Sequence, residues 1–126
     1  MLPPVSQLLE ASSDVRAIVG SNPPRIWRHG AVPESVPTPI RDAYVVWLVI
    51  LTPENQLSGT PTADRATVQL DCFHPTDAGV VLLATAVRDA LEPHGHMTST
   101  PFDGKEPESK LFRMSLQFDI FVNRPT

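Results

Sequence analysis

The sequence has few of the residues on which several classes of protein depend. Among 126 residues there is one cysteine, Cys72, which excludes an internal disulfide and any zinc site built from several cysteines. Basic residues number 10 against 14 acidic ones, for a net charge of −4, so we expect no binding to DNA or RNA through bulk electrostatics. The longest unbroken apolar run, Ala43–Leu51, is far shorter than the roughly 20 residues that span a bilayer. We also expect no secretion, because the N-terminus lacks a basic start followed by an apolar stretch.

Catalytic and metal-binding motifs are missing as well. No GxSxG, HExxH or CxxC occurs, and the nearest approach to a phosphate loop, Ser58-Gly59, has one glycine and no following lysine. Cys72 with His74 and His94 with His96 have a spacing that is common by chance, and a metal site needs three or four converging ligands. We therefore predict that the protein is not an enzyme and binds neither a cofactor nor a metal.

Two carboxylates leave one catalytic alternative open. Asp71 and Asp119 lie on the polar faces of two predicted strands, and they could be neighbours if those strands pair. Two close carboxylates could divide acid and base roles between them. The interpretation that we favour is two solvated aspartates near Arg65 and Arg113.

Prolines, by contrast, are abundant, and their positions delimit the regular structure. Because proline breaks helix interiors and cannot donate a hydrogen bond in a central strand, proline-free windows show where helices and strands can lie. The 14 prolines leave these long windows: Val5–Asn22, Ile40–Thr52, Thr62–His74, Thr76–Glu92 and Glu108–Arg124.

The first and fourth windows have the apolar spacing of helices. In the first, apolar residues recur every three to four positions on both sides of Ser12, which predicts two short helices with a kink there and an end at Gly20. The fourth predicts one longer helix that is capped by Thr76 and stopped by Pro93. The apolar stripe of this helix consists of Val80, Leu83, Ala84, Val87 and Leu91.

The other windows predict strands. Residues 65–73 and 111–123 alternate between apolar and polar, which is typical of a sheet with one buried face. Ala43–Leu51 is apolar on both faces, as suits a central strand or one covered by a partner, and Arg25–Arg28 and His96–Thr100 are predicted edge strands. The predicted fold class is α+β: a single mixed or antiparallel sheet of about four to five strands, with an N-terminal helix and one longer helix packed on one face. We expect residues 1–126 to form a single domain.

Two long loops are predicted contact surfaces. Gly30–Arg41 and Pro53–Asp64 contain no regular pattern, and loops of such length are usually functional or become ordered on assembly. The charged residues that flank them are the candidate interface residues: Arg41, Asp42, Glu54 and Arg65. For any one of them taken singly we favour the alternative, which is a solvated surface position.

The order of these segments resembles that of one known family. From Val5 to Val122 the sequence contains, in turn, "VRAIVG", "RIW", a proline-rich loop, "AYVVWLVI", "RATVQLDCF", "LLATAVRDAL" and "LFRMSLQFDIFV". This arrangement is similar to the tail terminator proteins (tail completion, or minor tail, proteins) of long-tailed phages and gene-transfer particles.

The resemblance implies a non-enzymatic virion protein. It implies a hexameric ring that caps the head-proximal end of the tail tube, stops tube polymerisation and provides the surface for head–tail joining. The implied partners are further copies of the chain, the tail tube protein and head-completion or connector proteins. DNA would pass through the lumen without specific binding, and no membrane would be involved. The implied location is the head-proximal end of the virion tail, with assembly in the host cytoplasm.

Two other functions stay open on the sequence. One is a head-closure or connector protein, which also forms a ring of similar size. The other is a small α+β ligand-binding or enzyme domain, which would be a monomer or dimer with a deep polar pocket.

Overall fold

A computed structural model describes residues 3–21, 23–50 and 65–121. The helices are α1 (Val5–Glu10), α2 (Ser13–Val19) and α3 (Asp77–Leu91), and a 3-10 turn, Glu92–His94, follows α3. The strands are β1 (Ile26–Arg28), β2 (Tyr44–Ile50), β3 (Arg65–His74), β4 (Gly95–Ser99), β5 (Asp103–Lys105) and β6 (Phe112–Phe121). The predicted α+β class is confirmed, with six strands in one mixed sheet where about four to five were expected.

The sheet has the order β1-β2-β3-β6-β4. Strand β1 runs parallel to β2, and the other neighbours are antiparallel. Strand β5, which the sequence analysis missed, pairs with β6 along the same edge as β4. The two predicted edge strands, now β1 and β4, are confirmed at the two ends of the sheet.

The helices pack on one face of the sheet, because the alternating strands present their apolar side chains there. The buried strand residues on this face are Val45, Trp47, Val68, Leu70, Cys72, Leu116, Phe118 and Ile120. Val5, Leu9, Val15 and Val19 cover them from α1 and α2, and all five residues of the predicted α3 stripe are buried in the same cluster.

The predicted helix boundaries are confirmed at the capping residues. The Ser12 hydroxyl accepts a hydrogen bond from the Val15 amide at 3.2 Å, and Gly20 ends α2 at a φ of 88°. The Thr76 hydroxyl accepts from the Gly79 amide at 3.0 Å. Helix α3 ends at Leu91, and Pro93 lies in the 3-10 turn that follows.

His74 supports the start of α3 from the end of β3. Its Nδ1 accepts a hydrogen bond from the Thr76 amide at 3.0 Å, and its ring fills the space above Gly79. A Cβ on Gly79 would lie 2.0 Å from the His74 ring, so a larger residue here would require the ring to move. The longest helix in the described part of the chain, α3, has 15 residues, and no helix there has the length and apolar character needed to cross a membrane.

Candidate functional site and assembly surfaces

The sheet face opposite the helices is apolar in its β1–β2 half. The half-buried side chains of this half are Trp27, Tyr44, Val46, Leu48 and Ile50. No helix among residues 3–21, 23–50 and 65–121 packs on this face. The sequence predicted that β2 is apolar on both faces, and the structure confirms it.

The β3–β6 half of the same face holds a polar network around Asp71. Its Oδ1 accepts hydrogen bonds from the Ser115 hydroxyl at 2.5 Å and the Gln69 amide at 3.1 Å. Its Oδ2 pairs with the Arg113 Nη2 at 3.3 Å. The Asp71 and Arg113 side chains are 13% and 28% exposed, so the pair is largely shielded from water. These three contacts make Asp71 a structural carboxylate.

An aromatic row crosses the same face beside this network. Tyr44 stacks on Phe73 with ring centroids 4.4 Å apart, and Trp27 lies 6.0 Å from Tyr44 at a tilted angle. The Arg113 guanidinium lies 4.8 Å from the Phe102 ring centroid and 5.9 Å from that of Phe73. Cations over aromatic faces are attracted by the ring quadrupole, so the row holds Arg113 in place.

Burial within this row changes the ionisation of the tyrosine. Desolvation raises the pKa of Tyr44 from 10.0 to about 12. The negative charges of Glu106 and Asp71 raise it as well, and the positive charge of Arg113 opposes them. Tyr44 therefore stays neutral at any physiological pH and acts as a packing residue.

The two carboxylates considered as an acid–base pair do not meet. Strands β3 and β6 do pair, but their register places Asp71 opposite Ser115 and Asp119 opposite Thr67. Four residues along a strand span about 13 Å, so the pairing of the strands does not make the two carboxylates neighbours, and the acid–base alternative is not supported. Asp71 lies beside Arg113, as expected for the favoured interpretation of two solvated aspartates. The Asp71 side chain is, however, half-buried and not solvated. The Arg65 side chain lies outside the described residues.

Cys72 and the histidines show no arrangement for chemistry. Cys72 is completely buried, and burial, with a smaller effect from Asp71, raises the pKa of its thiol well above the ordinary value. His74 is used in capping α3. Within the described residues no three His, Cys, Asp or Glu side chains are grouped as metal ligands would be.

The outer surface of α3 forms an exposed apolar ridge. We define the α3 ridge as Val81, Leu82 and Met97 of the adjacent β4, which are 46%, 65% and 39% exposed. Between α2 and α3 lies a groove of about 340 Å³, the α2–α3 groove. Its lining residues are Asp14, Ala17, Ile18, Leu82, Thr85, Ala86 and Asp89. Exposed apolar clusters of this kind mark contact surfaces.

The β1–β2 loop, residues 29–43, is the third exposed feature. Arg25 anchors its base, where Nε donates to the Ala43 carbonyl at 2.6 Å and Nη2 to the Ile18 carbonyl at 3.3 Å. Beside it is a cavity of about 440 Å³ lined by Arg25 and residues 36–42. Two of the predicted interface residues, Arg41 and Asp42, are exposed here.

The remaining predicted contact residues fall elsewhere. Glu54 and the predicted loop Pro53–Asp64 lie outside the described residues. Arg65 begins β3, with its side chain outside the described part. The structure thus brings Arg41 and Asp42 together on one loop and leaves the other two predicted interface residues untested.

Comparison with known proteins assigns the chain to a family. The family model described as Tail completion protein gp17 matches residues 3–123. The chain belongs to this tail completion family. A chain solved in the virion of a native gene transfer agent (GTA) particle is 20% identical, with a TM-score of 0.67 over 94% of this chain and 90% of that one, and it shows the same fold. No curated protein matches the chain.

As a member of the tail completion family, the chain is a structural protein of the virion tail. The resemblance of the segments from Val5 to Val122 to the tail completion family predicted this membership. The α3 ridge was not predicted from the sequence. The available sign was the pair Val81 and Leu82, two large apolar residues next to the predicted stripe but outside it.

Proposed function

We propose that this tail completion protein, acting as a single domain over residues 1–126, forms a hexameric ring on the head-proximal end of the tail tube. The ring stops tube polymerisation and presents the surface to which the head joins. The observation that carries the proposal is the family match over residues 3–123.

The surfaces of the molecule support a role that depends on shape. The apolar half of the open sheet face and the α3 ridge lie on opposite faces of the domain; the side chains of the first are half-buried and those of the second are exposed. A ring requires a heterologous interface whose rotation closes, so a subunit needs two different contact surfaces. We propose that the loops Gly30–Arg41 and Pro53–Asp64, with Arg41, Asp42, Glu54 and Arg65, contribute to contacts with neighbouring subunits and adjacent rings.

The proposed partners follow from the position of the ring. One ring face matches the last ring of tail tube protein, and the other face does not repeat it, so growth stops there. That second face receives the head-completion or connector proteins. With a net charge of −4 on each copy, an acidic lumen would repel DNA from the wall, so DNA would pass without specific binding.

Deletion of the gene tests the proposal. The expected result is overlong tail tubes that do not join heads, measured by electron microscopy of lysates, and restoration of normal length by the gene supplied in trans. Normal tails attached to heads in the deletion would overturn the proposal. Binding of the purified chain to portal-bearing heads, and not to purified tubes, would instead assign it to head closure.

A further inference from the structure

The α2–α3 groove has the chemistry of a docking site for an apolar side chain beside a cation. Its lining includes the apolar residues Ala17, Ile18 and Ala86, and Leu82, which also lines it, has 65% of its surface exposed. Burial of an exposed leucine side chain is favourable, so this side chain favours a partner. Two carboxylates in the lining, Asp14 and Asp89, add negative charge, and Asp89 also lies 3.3 Å from the Arg88 guanidinium.

The β1–β2 loop carries the complementary groups. Val36 and Ile40 are half-buried apolar residues of the loop, and the exposed Arg41 directly follows Ile40. The acidic residues Glu34 and Asp42 lie in the same loop. The loop therefore complements the groove locally, through Ile40 and Arg41, and not through its overall charge.

The backbone of the loop is also restricted in a way that favours contact with a partner. Three prolines between residues 33 and 39 restrict its conformations, which lowers the entropy lost when it is ordered against a partner. Within residues 32–42 the backbone makes one internal hydrogen bond, from the Val36 amide to the Pro33 carbonyl. The backbone of this segment is therefore held by few hydrogen bonds within itself.

The groove and the loop are separate surfaces of one chain. The cavity beside the loop and the α2–α3 groove share no lining residue. The loop connects the strands at the β1 end of the sheet, whereas α3 packs mainly over β3 and β6. A contact between the two in different copies is head-to-tail, which is the type of interface that a closed ring needs.

We infer that the β1–β2 loop of one copy seats in the α2–α3 groove of the next, with Ile40 against Leu82 and Arg41 between Asp14 and Asp89. The inference rests on the proposed ring and names its subunit interface. It assigns the occupant of the groove as a second copy of this chain.

Cysteine cross-linking tests the contact in the full chain. Cys72 is the sole cysteine and is buried, so introduced thiols react without background. Thr38→Cys in the loop and Ala17→Cys in the groove place exposed thiols on the two surfaces. With a short bis-maleimide on tube-bound protein, the double variant is expected to give a ladder that ends at the hexamer. A mixture of the two single variants is expected to give dimers only.

The matched control replaces the groove thiol with one on β4. Ser99→Cys is equally exposed, and its register partner Gln117 lies on the sheet face opposite α3. Tube-bound hexamers that cross-link through Thr38→Cys and Ser99→Cys, and not through Ala17→Cys, would overturn the inferred interface and leave the proposed ring intact. Failure of the unmodified chain to form hexamers on tubes would overturn the ring itself.

Charge exchange gives a second test. Asp89→Arg is expected to weaken ring assembly on tubes about tenfold by cosedimentation, since it places a cation against Arg41. The variant keeps the helix, because a positive charge near the C-terminal end of α3 is favourable. Adding Arg41→Asp is expected to restore most of the binding. Equal weakening by the single and double variants would contradict the pairing of these residues.

Discussion

Two ion pairs with the same separation allow the effect of burial to be measured directly. Arg113 Nη2 lies 3.3 Å from Asp71 Oδ2 on the sheet, and Arg88 Nη2 lies 3.3 Å from Asp89 Oδ1 on α3. The sheet pair is 28% and 13% exposed, and the helix pair is 42% and 59% exposed. The two pairs therefore have the same separation but differ in exposure and in their other partners: Asp71 also accepts from Ser115 and Gln69, and Arg88 also lies 3.7 Å from Glu92.

The expected magnitudes follow from the surroundings of each pair. Asp71→Ala removes the acceptor of three hydrogen bonds and leaves the Arg113 guanidinium without its carboxylate. Breaking a fully buried pair costs about 3–5 kcal/mol, and because these side chains retain some exposure we expect a loss of about 2–3 kcal/mol in the free energy of unfolding. We expect a coupling energy of about 1–2 kcal/mol between Asp71 and Arg113. For Arg88 and Asp89 we expect about 0–0.5 kcal/mol.

Urea denaturation of single and double alanine variants measures both coupling energies. Should a variant of the sheet pair prove too unstable for a complete unfolding curve, Asp71→Asn gives a milder perturbation of the same contacts. High salt should reduce the helix coupling toward zero and affect the sheet coupling less. Equal couplings for the two pairs would show that the sheet network is not shielded from water, and the reasoning would then be wrong.

Two further predictions concern single residues. Tyr44 is the sole tyrosine, so an absorbance titration of tyrosine ionisation reports on this residue alone. We expect the midpoint near pH 12, and Arg113→Ala should raise it further because the positive charge of Arg113 lowers the pKa of Tyr44. The pKa of Tyr44 in the folded protein lies above the unfolded value of 10.0, so protonated Tyr44 stabilises the fold fully below pH 10. This stabilisation is lost as the pH rises to about 12. A titration midpoint of 10 in the folded protein would contradict the prediction. Gly79→Ala is expected to lower the free energy of unfolding by about 1–3 kcal/mol despite alanine's helix preference, since its Cβ would meet the His74 ring. Urea unfolding measures this loss. The loss should disappear when Gly79→Ala is combined with His74→Ala. If Gly79→Ala alone stabilised the protein, the close approach of His74 to Gly79 would be refuted.

Much of the fold could be predicted from local pattern. The kink at Ser12, the cap at Thr76 and the alternation in β3 and β6 are properties of neighbouring residues, and each is found where expected. Strand β5 could not be predicted, because Asp103–Lys105 is too short to show alternation and has a glycine at its centre. It exists because β6 offers an edge with which to pair.

The candidate surfaces were less predictable because they depend on register and on the packing of distant segments. Asp71 and Asp119 share a face, as alternation required, but the register that separates them is decided over the whole β3–β6 pairing. The exposure of Leu82 likewise follows from where α2 packs against α3. Arg41 and Asp42 were predicted as interface residues from their position beside a long loop, and that prediction stays untested.

The position of β6 has a consequence for synthesis of the protein. Phe112–Phe121 is the last described strand in the chain, yet it has β3 on one edge and both β4 and β5 on the other. A nascent chain that has reached only residue 111 has an open β3 edge and two strands with no sheet to join, so the sheet is completed only after the rest emerges from the ribosome. Polypeptides that end before β6 therefore lack the strand that joins β3 to β4 and β5.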